Sequence, residues 1–498
     1  MDTHVEKAPD HPQHFNHDSQ SASEPGPMKM HTEMSKADPK NLPLFKKLHA
    51  TIASWFAVFT LVYAATVATP VVPAIPAALN TNSTLAHLVF TAPFIGVFFA
   101  PIYTPHASEI AGRKPVYLVS LSLFLIFVGS ISAAKTISQL ITLRVFAGLV
   151  GGPMAVLIEG THADVWPASK TVSYYCSIAL AQYWGATLGP VIGQAALTYG
   201  GVPFTAYSAL FFGAFAWVLV ATMPETFERQ LIRQAIKHGA DVQLKPAPTG
   251  TKITTMLNLT VWTPIKMMFT EPLVIMGTLL LGLSFAVVFQ WFITVPFALI
   301  NIYQLESYTI SIVFFSPFTG AAMAFITSMI IDSFGSKAMT ESGPKIEQRL
   351  FSAMVGVLLT TGSLFWVAWT AKPSVPYIVP VTGNAVYVWG NMMILLSIIS
   401  YFFDTFHPQG ILSALTAMAC FRLACAAIVP IFILDMFATL TPAWPLSTFG
   451  FINLLFIPIP YIMYIFGARM RARSAYAGMG HGHSPAFMAR DTNTMVDA

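Results

Sequence analysis

The residues able to do chemistry in this sequence are few and widely spaced. Between Pro101 and Tyr117 the chain reads PIYTPHASEIAGRKPVY, with Glu109, Arg113 and Lys114 gathered around Gly112 and long apolar sequence on both sides. Gly112 permits a tight turn, and a carboxylate beside a guanidinium can form a pair that holds one state closed and breaks in another. A weaker copy follows later, where Asp332, Gly335 and Lys337 repeat an acid, a glycine three residues on and a cation just beyond. These two islands are candidate gates. Arg144 and Arg422 lie inside apolar runs, and Asp404 lies near the end of another. An unpaired guanidinium in hydrocarbon costs at least about 2.5 kcal/mol, so such residues face a bundle interior or a water-filled cavity and are candidates for ion coupling. Glu159 and Asp164, at the end of a fourth apolar run, read as interfacial.

Composition dictates what must position these groups. Of 498 residues, 55% are hydrophobic and only 10% charged, with a mean hydropathy of +0.63. A soluble domain is nearer a quarter charged, so lipid must be the solvent for much of this chain. A helix needs roughly 20 apolar residues to cross the hydrocarbon layer. Segments of about that length recur near 51–71, 87–103, 116–134, 137–158, 173–197 and 204–223, and again near 273–300, 309–331, 350–369, 378–402, 411–437 and 446–466.

The predicted fold is therefore an all-α integral membrane protein, with twelve transmembrane helices in two pseudo-symmetric six-helix halves. Residues 1–48 read as a disordered cytoplasmic tail, 49–223 and 272–467 as the two bundles, 224–271 as a cytoplasmic linker and 468–498 as a second cytoplasmic tail. Charge supports this count. With the N-terminus inside, the inner loops collect Arg113, Lys114, Lys170, the six basic residues of the linker, Lys337, Lys345 and Arg349, the tail adds Arg469, Arg471 and Arg473, and the outer loops hold only Lys135 and Lys372. A positive-inside bias of that kind requires an even number of spans. Asn82-Ser83-Thr84 falls in the first outer loop and is a candidate glycosylation acceptor.

Other classes are excluded by what is missing. Cys176, Cys420 and Cys425 lack metal-ligand spacing, so neither a disulfide framework nor a zinc site is expected. No GxxxxGK[ST] loop is present, which argues against direct ATP drive. No cofactor, no nucleic-acid partner and no enzymatic activity are expected. Polar and aromatic residues within spans, Tyr175, Gln182, Trp184, Gln290, Trp291, Asn384 and Asn391, are candidates for lining a substrate pocket. A glycine stripe at Gly185, Gly189 and Gly193, with Pro190 beside it, would let another helix approach closely.

The order of these motifs resembles the major facilitator superfamily, in the form found in fungal twelve-span drug:proton antiporters. The resemblance rests on APIYTPHASEIAGRKPVYL, LRVFAGLVGGPMAVL around Arg144, YWGATLGPVIGQ, MPETFERQ, YFFDTF and PIPYIMYIFGARMR, and covers roughly 50–473. Glu109 stands where many members have Asp, Ala147 where the usual residue is Gln, and Gln194 where the last Gly of the antiporter motif is expected. The resemblance implies a monomer in the plasma membrane with both termini cytoplasmic, moving a small-molecule substrate and protons by alternating access through a lipid bilayer. It implies proton-coupled efflux and assigns Arg144 a part in proton transfer. The deep arginines favour an anionic carboxylate such as itaconate, or an amphiphilic secondary metabolite, toxin or drug. Alternatives of the same fold are a polyamine or multidrug exporter and a uniporter or importer; a non-transporting membrane sensor is the alternative of another class.

Overall fold

In the computed structural model, residues 38–167, 171–237, 257–342, 346–440 and 443–477 are described, and within them the side chains of 171–172, 307–308, 311, 332–342, 408–409, 434–435 and 438 are not. Most of the expected N-terminal tail, the middle of the linker and the end of the C-terminal tail lie outside the described residues. The long helices of the first half are α1 (Leu44–Thr66), α2 (Ser83–Val97), α3 (Ala100–Ala111), α4 (Arg113–Ile131), α5 (Ile137–Val165), α6 (Thr171–Gly200) and α7 (Val202–Thr222). A short amphipathic helix, α8 (Glu228–Lys237), opens the linker, and α9 (Thr263–Thr270) leads into the second half. There follow α10 (Pro272–Asn301), α11 (Ser307–Val313), α12 (Phe315–Ser342), α13 (Phe351–Thr370), α14 (Ile378–Thr405), α15 (Pro408–Thr439), α16 (Ala443–Phe456) and α17 (Pro458–Arg473).

Nine helices among the described residues are long and apolar enough to cross a membrane, and ten if α2 and α3, bent by 41°, form one span. The bend has a local cause. Pro101 has no N–H to offer the carbonyl four residues back, at Val97, where α2 ends. Helix α6 falls short of the same test, and α12 contributes the shorter apolar stretch Phe315–Ile331. The largest contacts between the halves are α6 on α12 and α2 on α15. A helix such as α6 that faces a seam and a cavity can carry Gln, Thr and Gly in place of lipid-facing Leu and Phe, which dilutes its hydropathy.

The two halves repeat each other in packing. In the first, α1 lies on α6, α2 on α5 and α4 on α5; in the second, α10 lies on α15, α12 on α14 and α13 on α14. Lipid exposure sorts the helices further: 83% of the apolar window of α14 is buried, against 28% for α4. Exposed Phe211, Phe269, Leu455 and Ile465 belong to the outer surface, as expected where lipid replaces water.

Where helices must touch without a hydrophobic driving force, small residues let backbones approach. A Cβ on Gly96 would run into the Val145 carbonyl, and one on Gly148 into the Pro93 carbonyl, so α2 and α5 are locked along a glycine seam. Helix starts are capped in familiar ways. The Asn82 side chain accepts from Leu85 N at 2.8 Å, Thr136 caps α5 and His407 caps α15.

Two helices overrun the expected span ends. Helix α5 continues past residue 158 to Val165, which places Glu159 within the bundle and not at its edge. Helix α12 continues to Ser342, so Asp332, Gly335 and Lys337 lie on a helix and not in a turn like that at Gly112. Their side chains lie outside the described residues.

Candidate functional site

The Glu109–Lys114 island lies where α3 ends and α4 begins. Gly112 joins them with φ of +96°, a conformation that favours glycine. The pairing differs from the expected one. Glu109 is exposed and makes no ion pair or hydrogen bond among the described residues. Arg113 instead donates through Nε to Asp164 Oδ2 at 3.0 Å, at the end of α5, and through Nη1 to Ser108 Oγ at 2.8 Å. Its guanidinium lies over the Phe227 ring, 5.1 Å from the centroid. Gly160 makes room for it, since a Cβ there would be 2.7 Å from Nη2.

Glu225, in the MPETFERQ segment after α7, completes the cluster. Its carboxylate accepts from the backbone N–H groups of Arg113 (2.9 Å) and Lys114 (3.2 Å), and from those of Thr226 and Phe227 (2.9 Å each). One carboxylate thus serves the N-terminus of α4 and the approach to α8, where unpaired N–H groups and the helix dipole favour negative charge. The Gly112 Cα lies against it, and a Cβ there would be 2.7 Å from Glu225 Oε2.

The second half carries a related cluster at the same face. Arg349, just ahead of α13, donates through Nε to Asp404 Oδ2 at 2.9 Å, at the end of α14. Arg471, near the end of α17, pairs with Glu347 and donates to Tyr401 Oη at 3.3 Å. Asp404 is therefore held in a rim ion pair and not in a cavity. By position, Arg113 on Asp164 corresponds to Arg349 on Asp404. All these bonds join helices within one half. They staple each half into a unit and do not bridge between halves.

Between the halves lies a cavity of about 500 Å³, running inward from Glu109 and Arg113 at the terminal face. Glu159 on α5 and Arg422 on α15 line it from opposite sides, with Tyr175 and Gln182 on α6. Glu159 and Arg422 interact electrostatically, yet neither makes an ion pair or hydrogen bond among the described residues. The Arg422 guanidinium carbon lies 4.4 Å from the centroid of the Phe285 ring, and its Nε has no partner. Such a contact compensates a desolvated cation only in part. Arg422 and Gln182 also line a smaller adjoining cavity of about 90 Å³ walled by Phe285, Val288 and Phe289.

Beyond it the far face is shut by rings from both halves. Phe94 meets Phe289 at 4.3 Å between centroids, Phe90 meets Phe292 at 6.0 Å, and Phe314 stacks on Phe292 at 5.5 Å. A hydrogen bond from Tyr183 Oη to Asn391 Oδ1 at 2.8 Å ties α6 to α14 across the halves.

The remaining candidates scatter. Trp184 is partly exposed and packs edge-on against Trp55 and Phe318, away from the described cavities. Trp291 and Asn384 line a separate cavity of about 40 Å³ within the second half, and Asn384 Nδ2 donates to Ser316 Oγ at 3.0 Å. Gln290 is fully buried with neither amide atom partnered. Arg144 lies inside the first half, buried, with Nη1 reaching the Ala65 carbonyl at 3.4 Å and Nε unpartnered, and is not among the residues lining the cavity that holds Arg422. The glycine stripe packs α6 on α1: a Cβ on Gly185 would be 2.6 Å from the Phe59 carbonyl oxygen, and those on Gly189 and Gly193 would strike Thr66 and Val67. Pro190 is buried in the same helix, and Asn82 is exposed at the far face.

Sequence comparison places this geometry among known proteins. Transporter mfs1 of Schizosaccharomyces pombe is 25% identical over 464 residues, covering 88% of this chain and 86% of that protein. The efflux pump atB of Aspergillus terreus is 28% identical over 394 residues, covering 76% and 83%. The crystal structure of the human organic anion transporter MFSD10 (TETRAN) matches in fold, with a TM-score of 0.57 at 15% identity, over 84% of this chain and all of that one. The Major Facilitator Superfamily matches residues 54–430, most of the helical region just described. The chain belongs to the Major Facilitator Superfamily.

Proposed function

We propose that this protein is a secondary active transporter of the fungal drug-exporter type, which carries a small organic metabolite out of the cell by alternating access coupled to protons. The observation that carries the reading is a large cavity between two stapled halves, open toward the terminal face and shut at the far face by the Phe94–Phe289 and Phe90–Phe292 pairs. With the termini cytoplasmic and the protein a monomer in the plasma membrane, this is the inward-facing state. The relatives named as transporter and efflux pump support the same class.

The cavity walls are mainly apolar, and Arg422, whose Nε has no partner, is one of the charges that line it. That favours an amphiphilic substrate with a carboxylate, an organic acid or an acidic secondary metabolite, over a small polar diacid such as itaconate. Polyamine export fits poorly, because a polycation would meet Arg422. Alternating access requires the aromatic plug to part while the rim staples hold each half rigid. The test is metabolite profiling of cells and medium with and without the gene, followed by uptake of the changed compound into vesicles under an imposed pH gradient. Uptake indifferent to that gradient overturns the coupling and leaves a uniporter. No change in any exported compound overturns the exporter.

A further inference from the structure

We infer that the second half carries a binding site of its own for a small neutral alcohol, in the cavity of about 40 Å³ behind α10, and that its occupant holds the aromatic plug shut. The site lies off the route between the halves. No residue that lines it lines either cavity at Arg422.

Three lining side chains, Trp291, Thr294 and Asn384, are 5%, 2% and 3% exposed, and Trp291 Nε1, Thr294 Oγ1 and Asn384 Oδ1 have no hydrogen-bond partner. Trp291 and Thr294 share one face of α10. Asn384 faces the same cavity from α14, with its Nδ2 already committed to Ser316 Oγ at 3.0 Å. Buried polar atoms left unpaired are costly and uncommon, so three of them around one small cavity point to a guest. The indole N–H can only donate, the Asn384 carbonyl can only accept, and the Thr294 hydroxyl does both. A guest hydroxyl answers all three. None of the lining side chains is charged, so an ammonium or a carboxylate would be buried there without a counter-ion. The rest of the wall, Val295, Leu299, Val367, Phe437 and Leu446 among it, suits a short alkyl group. A cavity of this volume takes about three water-sized groups, which is the size of ethanol.

The place of the site on α10 gives the guest its effect. Trp291 follows Phe289 by two positions, about 200° around the helix, so the plug rings and the site lie on opposite sides of α10. The cavity reaches Tyr303, just beyond α10, and Ala371, at the end of α13, where Tyr303 Oη donates to the Thr370 carbonyl at 3.4 Å. A guest therefore enters from the far face. Phe289 can leave Phe94 only if α10 gives way from the first half, and the space behind α10 is the space the guest fills. With the guest seated, α10 stays forward and the rings stay in contact.

The experiment uses the purified full chain in deuterated detergent and saturation-transfer difference NMR, with ethanol, n-propanol and n-hexanol as probes. Ala298→Leu, which fills the cavity and keeps the three polar groups, is the reference. Partition into the micelle rises about fourfold per methylene, so the difference from the reference reports the site. Ethanol and n-propanol are expected to show a saturable difference and n-hexanol none. Thr294→Val, close in shape to the native residue, and Asn384→Leu should each weaken ethanol binding by about threefold or more, and they keep the test standing where Ala298→Leu does not fold. No difference for ethanol and n-propanol, a difference that grows through n-hexanol, or unweakened binding in both polar variants each overturn the site. Equal binding of acetate or ethylammonium overturns the alcohol chemistry. In proteoliposomes, saturating ethanol should slow far-side thiol labelling of a Gln182→Cys reporter by about threefold or more, with the native cysteines replaced by Ser, and should not slow it once Ala298→Leu is added. Labelling indifferent to ethanol overturns the hold on the plug.

Discussion

Replacing Glu225 by Ala removes one carboxylate and four backbone hydrogen bonds at once. The bonds from Arg113 and Lys114 cap the first turn of α4, and those from Thr226 and Phe227 order the approach to α8. A lost N-cap costs about 0.5–2 kcal/mol, and the charge–dipole contribution adds about 0.3–1 kcal/mol at each helix start. Two such sites give about 1.6–6 kcal/mol. If the first half unfolds as a unit, that corresponds to a fall in thermal midpoint on the order of 5–20 °C, readable from tryptophan fluorescence in detergent. Gly112→Ala should destabilise by a comparable amount, through strain at its positive φ and displacement of the carboxylate 2.7 Å from the added Cβ. The double variant should lose less than the sum of the singles by about 1–2 kcal/mol, because the same bonds can be lost only once. A midpoint unchanged within about 1 °C in Glu225→Ala, or strict additivity in the pair, would refute the shared-cap reasoning.

Two further outcomes follow from packing. Gly189→Ala should destabilise by about 1–3 kcal/mol by forcing α6 off Thr66 of α1, whereas Gly362→Ala, with open space beyond its Cβ at an exposed position of α13, should stabilise by up to about 1 kcal/mol; thermal midpoints in the opposite order refute both. Phe94→Ala removes a ring whose contact with Phe289 exists only while the far face is shut. A Phe→Ala loss of about 3–5 kcal/mol should expose a Gln182→Cys reporter to a membrane-impermeant thiol reagent from the far side, in a background with the native cysteines replaced by Ser. Unchanged labelling would show that the rings are not the plug.

Much of the fold could be read from the sequence because its signals are local. Apolar run length and loop charge mark the helices, and Gly112 marks the turn. The partners of Arg113 could not be read so easily, since Asp164 and Glu225 lie 51 and 112 residues away and nothing in local spacing ties them to it. The pair of Arg349 with Asp404, which corresponds by position to Arg113 on Asp164, shares no motif with the first island and leaves no local signal. Glu159 reads as an edge residue because the run of apolar residues ends at Ile158, although the helix does not. Trp184 shows the limit of listing polar residues by span. It follows Gln182 by two positions, about 200° around a helix, so when Gln182 faces the cavity Trp184 faces away. Tyr175, seven positions before Gln182, shares its face and lines the same cavity.

The glycine seam between α2 and α5 has a mechanical meaning. Gly96 against Val145, Gly148 against Pro93 and Gly152 against Val97 leave no slack between the two helices, so they act as one beam. At one end of that beam are Phe90 and Phe94, which shut the far face. Toward the other end, eleven residues or about 16 Å along the axis from Gly148, is Glu159. A tilt that lifts the rings from the second half must swing Glu159 relative to Arg422, with the seam as fulcrum. Opening the door and changing the charge environment at the site are then a single displacement, and no relay of intermediate residues is needed to connect them.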